Sequence, residues 1–395
     1  MLDLSFYLKN IKYKNNNSLP YCNDIKSVTD ETVNYFINKY FSPNDIKLIQ
    51  IATKNNVTQE DFDTFINSWD IEVEGGHKAL FLSYFMKTHP DIIFPQYVEP
   101  RLKGLLQFYR FKNMKLISHF KKICTKLREN NIDILIIKGG AFRHLQPEYP
   151  RVMGDIDIIV RNKKDFEKAK NIVSEMGYIY EEFPHSIDLH KENSMEGILD
   201  IHYRLDILAD TNDDIIQDFF KRASKNEIFF INDTFLPSNE DLMFITLTNM
   251  VKNMCKNTSL GSIIYAINDC KYLIESKPNF DWNIVKENTI KTHCETNIYI
   301  TTKLINKLVP NLIPEMFADN YRNLNTLLMY NQIFLPNLKE KSHTLKLTNI
   351  FKSWQNFREY FTIKPMYFMY KRKMIRKNPK ITELILKNSE INYEN

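Results

Sequence analysis

The sequence is poor in glycine, in long apolar runs and in paired cysteines. Only 9 of its 395 residues are glycine, and three of them, Gly139, Gly140 and Gly154, fall within one stretch. No apolar run approaches the ~18 residues of a membrane-spanning helix, and no basic segment followed by an apolar one opens the chain. The five cysteines form no Cys-x-x-Cys pair, which favours neither a disulfide framework nor a zinc site. We therefore expect a cytoplasmic protein.

The composition sets broad limits on the fold and on the partners. Hydrophobic residues make up 43% of the chain and aromatic residues 13%, which excludes wholesale disorder. The length suits two or three domains, or one catalytic domain with helical additions. The formal net charge of +5 is small, so the charge balance permits a nucleic-acid partner without demanding one.

The stretch from Ile134 to Val160 carries the densest set of chemical signals. It opens with a β-branched apolar run, which predicts a buried strand that ends at Lys138. Gly139 and Gly140 allow a sharp turn with exposed N–H groups. A short helix from Ala141 to about Leu145 and a return strand from Asp155 to Val160 complete the predicted unit.

The period of two in the return strand gives this unit its chemistry. Asp155 and Asp157 lie on one face of the strand and apolar residues on the other. Adjacent carboxylates repel each other unless a cation lies between them. Oxygen ligands favour a hard ion such as Mg²⁺, which typically binds one or two carboxylates together with substrate phosphates. With the glycine turn and an intervening Arg151, the two acids predict a nucleotide site.

These residues resemble the signature of a known superfamily. Gly139-Gly140, fourteen intervening residues and Asp155-Ile156-Asp157 resemble the pattern of the polymerase-β-like nucleotidyltransferases. The fuller string from Lys138 to Val160 resembles one bacterial branch, the uncharacterised nucleotidyltransferases. The resemblance is specific from about residue 130 to 207 and diffuse over the helices down to about residue 310.

The resemblance implies an α/β (α+β) fold, in which a small mixed sheet carries the catalytic acids between helical N-terminal and C-terminal regions. It implies transfer of a nucleoside monophosphate from an NTP, ATP among them, to an acceptor with release of pyrophosphate. The cofactor would be Mg²⁺, with Mn²⁺ as an alternative, in a two-metal mechanism. The acceptor (a small molecule, a tRNA or a protein) and the oligomeric state stay open.

A later strand that begins at Gly197 supplies the third carboxylate that the resemblance implies. Alternation places Asp200 and His202 on one face, roughly 6–7 Å apart. Glu196 is the nearest competitor for the role of Asp200. The predicted catalytic and metal-binding residues are Asp155, Asp157 and Asp200, and the predicted nucleotide-binding residues are Gly139, Gly140, Arg151, Lys138 and His202. A metal pair of His185 and His190 with His202 is a weaker hypothesis, because nothing in the sequence fixes their geometry.

The rest of the chain is predicted to be mainly helical. Capping patterns at Ser42-Pro43 and at Thr58-x-x-Asp61 predict two helix starts. Apolar periodicity predicts helices from Pro100 to Glu129, from Asp165 to Met176 and beyond about Asn239. The predicted regions are a helical N-terminal region at 1–98, a nucleotidyltransferase catalytic core at 99–235, a helical C-terminal domain at 236–330 and a C-terminal extension at 331–395.

Two other functions remain open at this level. The site could bind NTP with a metal and have no acceptor, which would make the protein a nucleotide-binding regulator or pseudoenzyme. Alternatively, the basic and aromatic stretch at 364–380 could bind RNA, although a solvated helix face is the default interpretation of such a stretch.

Overall fold

The computed structural model describes residues 33–34, 37–38, 41–54, 56–70, 77–149, 151–183, 185–190, 197–205, 213–255, 260–292 and 294–317. The strands are β1 (Ile134–Ile137), β2 (Ile156–Val160), β3 (Ile179–Glu182), β4 (Ser186–His190), β5 (Gly197–His202), β6 (Ser224–Ile228) and β7 (Ile231–Leu236). The helices with bounds inside these ranges are α1 (Pro43–Thr53), α2 (Gln59–Ile66), α3 (His77–Thr88), α4 (Glu99–Glu129), α5 (Lys138–Leu145), α6 (Lys163–Glu175), α7 (Asp213–Arg222), α8 (Asn239–Cys255), α9 (Leu260–Glu275), α10 (Trp282–Lys291) and α11 (Glu295–Leu308).

One mixed sheet of seven strands, in the order β3-β4-β5-β2-β1-β7-β6, forms the centre of the molecule. The central strands β1 and β2 pair antiparallel, and each pairs parallel with its other neighbour, β7 and β5 respectively. Every residue of β1 and β2 is buried. The long helix α4 packs across β1, β2, β5 and β7, and this packing explains why β1 is wholly apolar and β2 is apolar except at Asp157.

Strand β1 passes into helix α5 without an intervening loop. Lys138 makes the change of direction with φ of +49°, a left-handed conformation. Gly140 then lies so close to the sheet that a Cβ atom would come within 2.8 Å of Ile136 and 2.9 Å of Ile156. A glycine is therefore required at residue 140 by helix-to-sheet packing.

The hairpin between β6 and β7 has an unusual turn. Its two loop residues, Phe229 and Phe230, both have positive φ, 51° and 67°, in positions where tight hairpins usually carry Asn and Gly. A left-handed conformation costs about 1–2 kcal/mol for a side chain with a Cβ. Phe229 packs edge-on against Phe120 of α4, whereas Phe230 is exposed.

The remaining helices pack beside the sheet. Helix α8 contacts α9, α10 and α11, and the N-terminal α1 contacts α9 and α11. Among the described residues, no helix combines the length and the apolar character that crossing a membrane requires. The domain boundaries proposed from the sequence stay predictions.

Several local predictions are confirmed. Ser42 and Asp45 form a capping box, as do Thr58 and Asp61. Helices α4 and α6 start within two residues of the predicted positions, and the acidic strand β2 starts one residue later than predicted. Helix α5 starts at Lys138 rather than Ala141, so the glycines belong to its first turn. Strands β3, β4, β6 and β7 were not predicted. Glu196 and the stretch at 364–380 lie outside the described residues.

Candidate active site

Two of the predicted acids are direct neighbours across strands. In the parallel pairing of β2 with β5, Asp157 lies opposite Asp200, and Asp188 of β4 lies opposite Asp200 on the other side. Three carboxylates thus form a row across three strands. Like charges in directly opposed positions destabilise a sheet unless something compensates them.

Two cationic side chains compensate part of this charge. Lys138 donates a hydrogen bond from Nζ to Oδ1 of Asp157 at 2.5 Å. His202 Nε2 lies 3.1 Å from Oδ1 of Asp157 and 3.0 Å from Oδ2 of Asp200. The imidazole, which is 2% exposed, therefore bridges the two carboxylates.

The cations and the acids shift one another's protonation. Burial disfavours charge on His202 and Lys138, but the nearby carboxylates outweigh burial and raise the pKa of both groups. Conversely, burial would raise the pKa of Asp157, but Lys138 and His202 lower it below its ordinary value. The contacts among Asp157, Lys138 and His202 therefore favour the charged form of all three groups.

Asp155 lacks such compensation. The charge of Asp157 and burial together raise the pKa of Asp155 to about 7, although Lys138 opposes them. Burial and neighbouring acids also raise the pKa of Asp188. Among the residues that the structure describes, the buried Oδ1 atoms of Asp200 and Asp188 have no hydrogen-bond partner. The cluster holds more negative charge than its two cations neutralise.

The predicted glycine turn lies next to these acids. Gly139 and Gly140 follow Lys138 in the first turn of α5, where N–H groups have no partner within the helix. A Cβ on Gly139 would come within 3.4 Å of Nε of Arg151. The glycine at position 139 therefore faces a guanidinium, whereas Gly140 faces the sheet.

Arg151 is placed beside the site and is also tied to the helical region. Its Nη1 donates to both carboxylate oxygens of Asp269 on α9, at 2.5 and 2.6 Å. Its guanidinium carbon lies 5.2 Å from the ring centres of both Phe142 and Tyr265. Asp269 and Lys138 both line a cavity of about 150 Å³ that also includes Arg151. The interaction of Arg151 with phosphate stays a prediction.

The comparisons with known proteins match this geometry to a family. The model of a family described as uncharacterised nucleotidyltransferases matches residues 79–310, more than half of the chain. This chain belongs to that family. The matched region contains all the predicted site residues, so the resemblance in the sequence is confirmed at the level of the family.

Two further comparisons add little to the assignment of this nucleotidyltransferase. A solution structure of the antibiotic-resistance factor ANT(2'')-Ia aligns with 45% of this chain and 90% of its own at 13% identity, with a TM-score of 0.33. No curated protein matches the sequence.

The residues of the nucleotidyltransferase fit a divalent cation. Ligand atoms of Asp157, Asp200 and His202 lie within 4.8 Å of one another. The buried Oδ1 of Asp200 has no donor among the described residues, and carboxylate oxygens are the ligands that Mg²⁺ and Mn²⁺ prefer.

Three contributors to the site were missed at the sequence level. Asp188 lies on β4, where the alternation of Ile187 and Leu189 with polar residues could have indicated a strand. Asp269 is a carboxylate on the apolar side of α9, a position that requires a buried cationic partner. Asn113 of α4 donates from Nδ2 to the carbonyl of Arg151 at 2.5 Å, and no sequence signal marks it.

Proposed function

We propose that this nucleotidyltransferase transfers a nucleoside monophosphate from an NTP to a nucleophilic acceptor and releases pyrophosphate. Asp155, Asp157 and Asp200 would hold the divalent cation, Mg²⁺ or Mn²⁺. The observation that carries the proposal is the cluster of buried and half-buried carboxylates, whose negative charge exceeds the positive charge of Lys138 and His202. When bound, the ions would neutralise the triphosphate and stabilise the attacking and leaving oxygens.

The residues around the acids suggest how the triphosphate is held. The N–H groups of Gly139 and Gly140, at a helix start beside the acids, are suited to accept phosphate oxygens as partners. Lys138 directly precedes Gly139 and donates from Nζ to Asp157, so its ammonium could bind a phosphate oxygen in place of that carboxylate. Arg151 Nε faces Gly139 from the other side. These donors would position the β- and γ-phosphates by charge alone, without covalent chemistry.

The acceptor is activated, in this proposal, by Asp200. Its Oδ1 has no donor among the described residues and can take the proton of an acceptor hydroxyl. His202 holds the other oxygen of the same carboxylate and thereby fixes its orientation. Asp200 would therefore be the general base, and His202 a positioning residue.

The test is transfer of label from each α-³²P-labelled NTP in the presence of Mg²⁺ or Mn²⁺ and host lysate, with pyrophosphate measured in parallel. We expect Asp200→Asn and Asp155→Asn to abolish both signals and Asp233→Asn, an exposed acid on β7, to leave them unchanged. Undiminished transfer by either site variant would contradict the proposal. Calorimetric binding of NTP without pyrophosphate release would instead favour a nucleotide-binding regulator.

A further inference from the structure

Helix α4 is much richer in positive charge than the chain as a whole. Between Pro100 and Arg128 the helix carries nine lysine and arginine residues and no aspartate or glutamate. Because the whole chain has a net charge of only +5, the rest of it is net acidic. Four of the nine, Lys103, Arg110, Lys126 and Arg128, pair with nearby acids. Lys121 and Lys122 are exposed on the same helix, which is about 46 Å long.

The solvent side of the same helix also exposes large apolar side chains. Phe108 is 62% exposed, Phe111 73% and Met114 67%. Phe108, Phe111 and Lys122 share one stripe, because they are separated by 3 and 11 residues on a helix of 3.6 residues per turn. Exposed aromatic rings between lysines are costly in water and mark interaction surfaces.

The hairpin between β6 and β7 adds a third aromatic ring to this surface. Phe230 is 74% exposed and is held in a left-handed conformation. Nζ of Lys121 on α4 lies 5.1 Å from the centre of its ring. A residue kept in an unfavourable backbone conformation with its ring in solvent indicates a functional constraint. Neighbouring Phe229, which is packed against Phe120, already anchors the hairpin to the helix.

We propose that the surface formed by Phe108, Phe111, Met114, Lys121, Lys122 and Phe230 binds a single-stranded RNA. The charge on α4 complements phosphates, and the exposed rings offer the stacking platforms on which unpaired bases bind. An anionic membrane is less favoured, because the continuous apolar side of α4 is buried against the sheet and only isolated rings remain outside.

The position of the surface relates it to the acid cluster. Asn113, between Lys112 and Met114, donates to the carbonyl of Arg151 and accepts from the N–H of Met153 on the opposite side of α4. An RNA strand bound to the exposed side of α4 would therefore lie about one helix diameter from the segment that leads into Asp155. The proposal concerns binding only, so it stands whether or not the acid cluster transfers nucleotides.

The test is fluorescence anisotropy of the full chain with labelled oligouridylate over a series of salt concentrations. We expect Phe108→Ala/Phe111→Ala to weaken binding about tenfold to a hundredfold. We expect Lys121→Gln/Lys122→Gln to reduce the salt slope by about 1.4, or about 0.7 for each lost phosphate contact. The control is Lys286→Gln/Ile290→Ala, which removes one exposed lysine and one exposed large apolar side chain from α10 and should bind like the parent chain.

Phe230→Gly separates binding from folding. Because glycine adopts the left-handed conformation without strain, this variant should unfold at a higher temperature and yet bind the RNA more weakly. Equal affinity of the parent chain and of both aromatic variants would overturn the proposal. So would binding to phosphatidylglycerol-containing vesicles in place of oligouridylate, or an equal loss of affinity in the α10 control.

Discussion

The two ends of the β1–β2 strand pair carry opposite charge balances. At one end, Asp133 lies before β1 and accepts from Nε of Arg161 at 2.6 Å and from Arg128. At the other end, Lys138 and His202 face the carboxylates of the acid cluster. The single carboxylate of Asp133 is outnumbered by two guanidinium groups, whereas the acid cluster keeps an excess of negative charge.

The pKa values of Asp133 and Asp155 differ in the direction that this charge difference predicts. Burial opposes ionisation of Asp133, but the two arginines outweigh it and lower its pKa. The charge of Asp157 raises the pKa of Asp155 to about 7. Both acids are partly buried on the same strand pair. Compensation of charge, together with the depth of burial, therefore distinguishes the structural acid from the candidate catalytic ones.

The largest expected effect comes from removing one charge at each end. Asp157→Asn should reduce nucleotide transfer about a thousandfold, because the loss of a metal ligand removes several kcal/mol of charge stabilisation. Asp133→Asn should leave transfer per folded molecule unchanged. Label transfer and circular dichroism on both variants check the comparison, and equal losses of transfer would abolish the distinction between the two ends.

A divalent cation should stabilise only the parent site. At a hundred times its dissociation constant, a ligand that binds the folded state adds about 2.7 kcal/mol to the free energy of unfolding. We expect Mn²⁺ to raise the melting temperature of the parent chain and of Asp133→Asn. In Asp157→Asn the shift should be lost. A shift of the same size in all three proteins would show that the ion binds elsewhere.

The two adjacent glycines at the start of α5 allow a structural and a functional residue to be compared within one helical turn. Gly140→Ala should cost about 1–3 kcal/mol of stability, because its methyl group would overlap with Ile136 and Ile156. Gly139→Ala should keep the fold and weaken NTP binding, since its methyl group would face Arg151. Denaturant unfolding and calorimetry separate the two effects. A stable Gly140→Ala would refute the packing role of that glycine.

The smallest effect is the pH dependence of the compensated end. The pKa of Asp133 is lower in the folded state than its ordinary value of 3.8. Its contribution to stability is therefore present above that value and is lost as the pH falls through the folded-state pKa. Since the group is partly exposed, Asp133→Asn should cost about 1 kcal/mol or less at pH 7. The difference from the parent chain should shrink as the pH falls below 3.8 and vanish below the folded-state pKa, and a difference that grows on acidification would contradict the assignment.

The sequence predicted the elements whose signals are local. The cap residues Ser42 and Thr58 hydrogen-bond within one helical turn, so their pattern is readable without tertiary contacts. The apolar runs of β1 and β2 and the shared face of Asp200 and His202 also follow from short periods. The proximity of Asp200 and His202 to Asp157 could be predicted from the resemblance to a known nucleotidyltransferase pattern.

What the sequence did not predict depends on distant residues. The partner of Arg151 is Asp269, 118 residues away along the chain. Strands β6 and β7 contain polar residues and a Phe-Phe turn with positive φ, which contradicts every turn preference. The charge of α4 was visible as composition, but only the structure shows which of its side chains face solvent.

The direct passage from β1 into α5 constrains how related chains can differ in length. One inserted residue between Ile137 and Gly140 would rotate the rest of the helix by about 100° and move Gly140 away from Ile136 and Ile156. Insertions and deletions should therefore be tolerated after Leu145, where the chain leaves the helix, and rejected within the twelve residues before it. We therefore expect members of this family to differ in residue identity at the β1–α5 junction while keeping the same number of residues there.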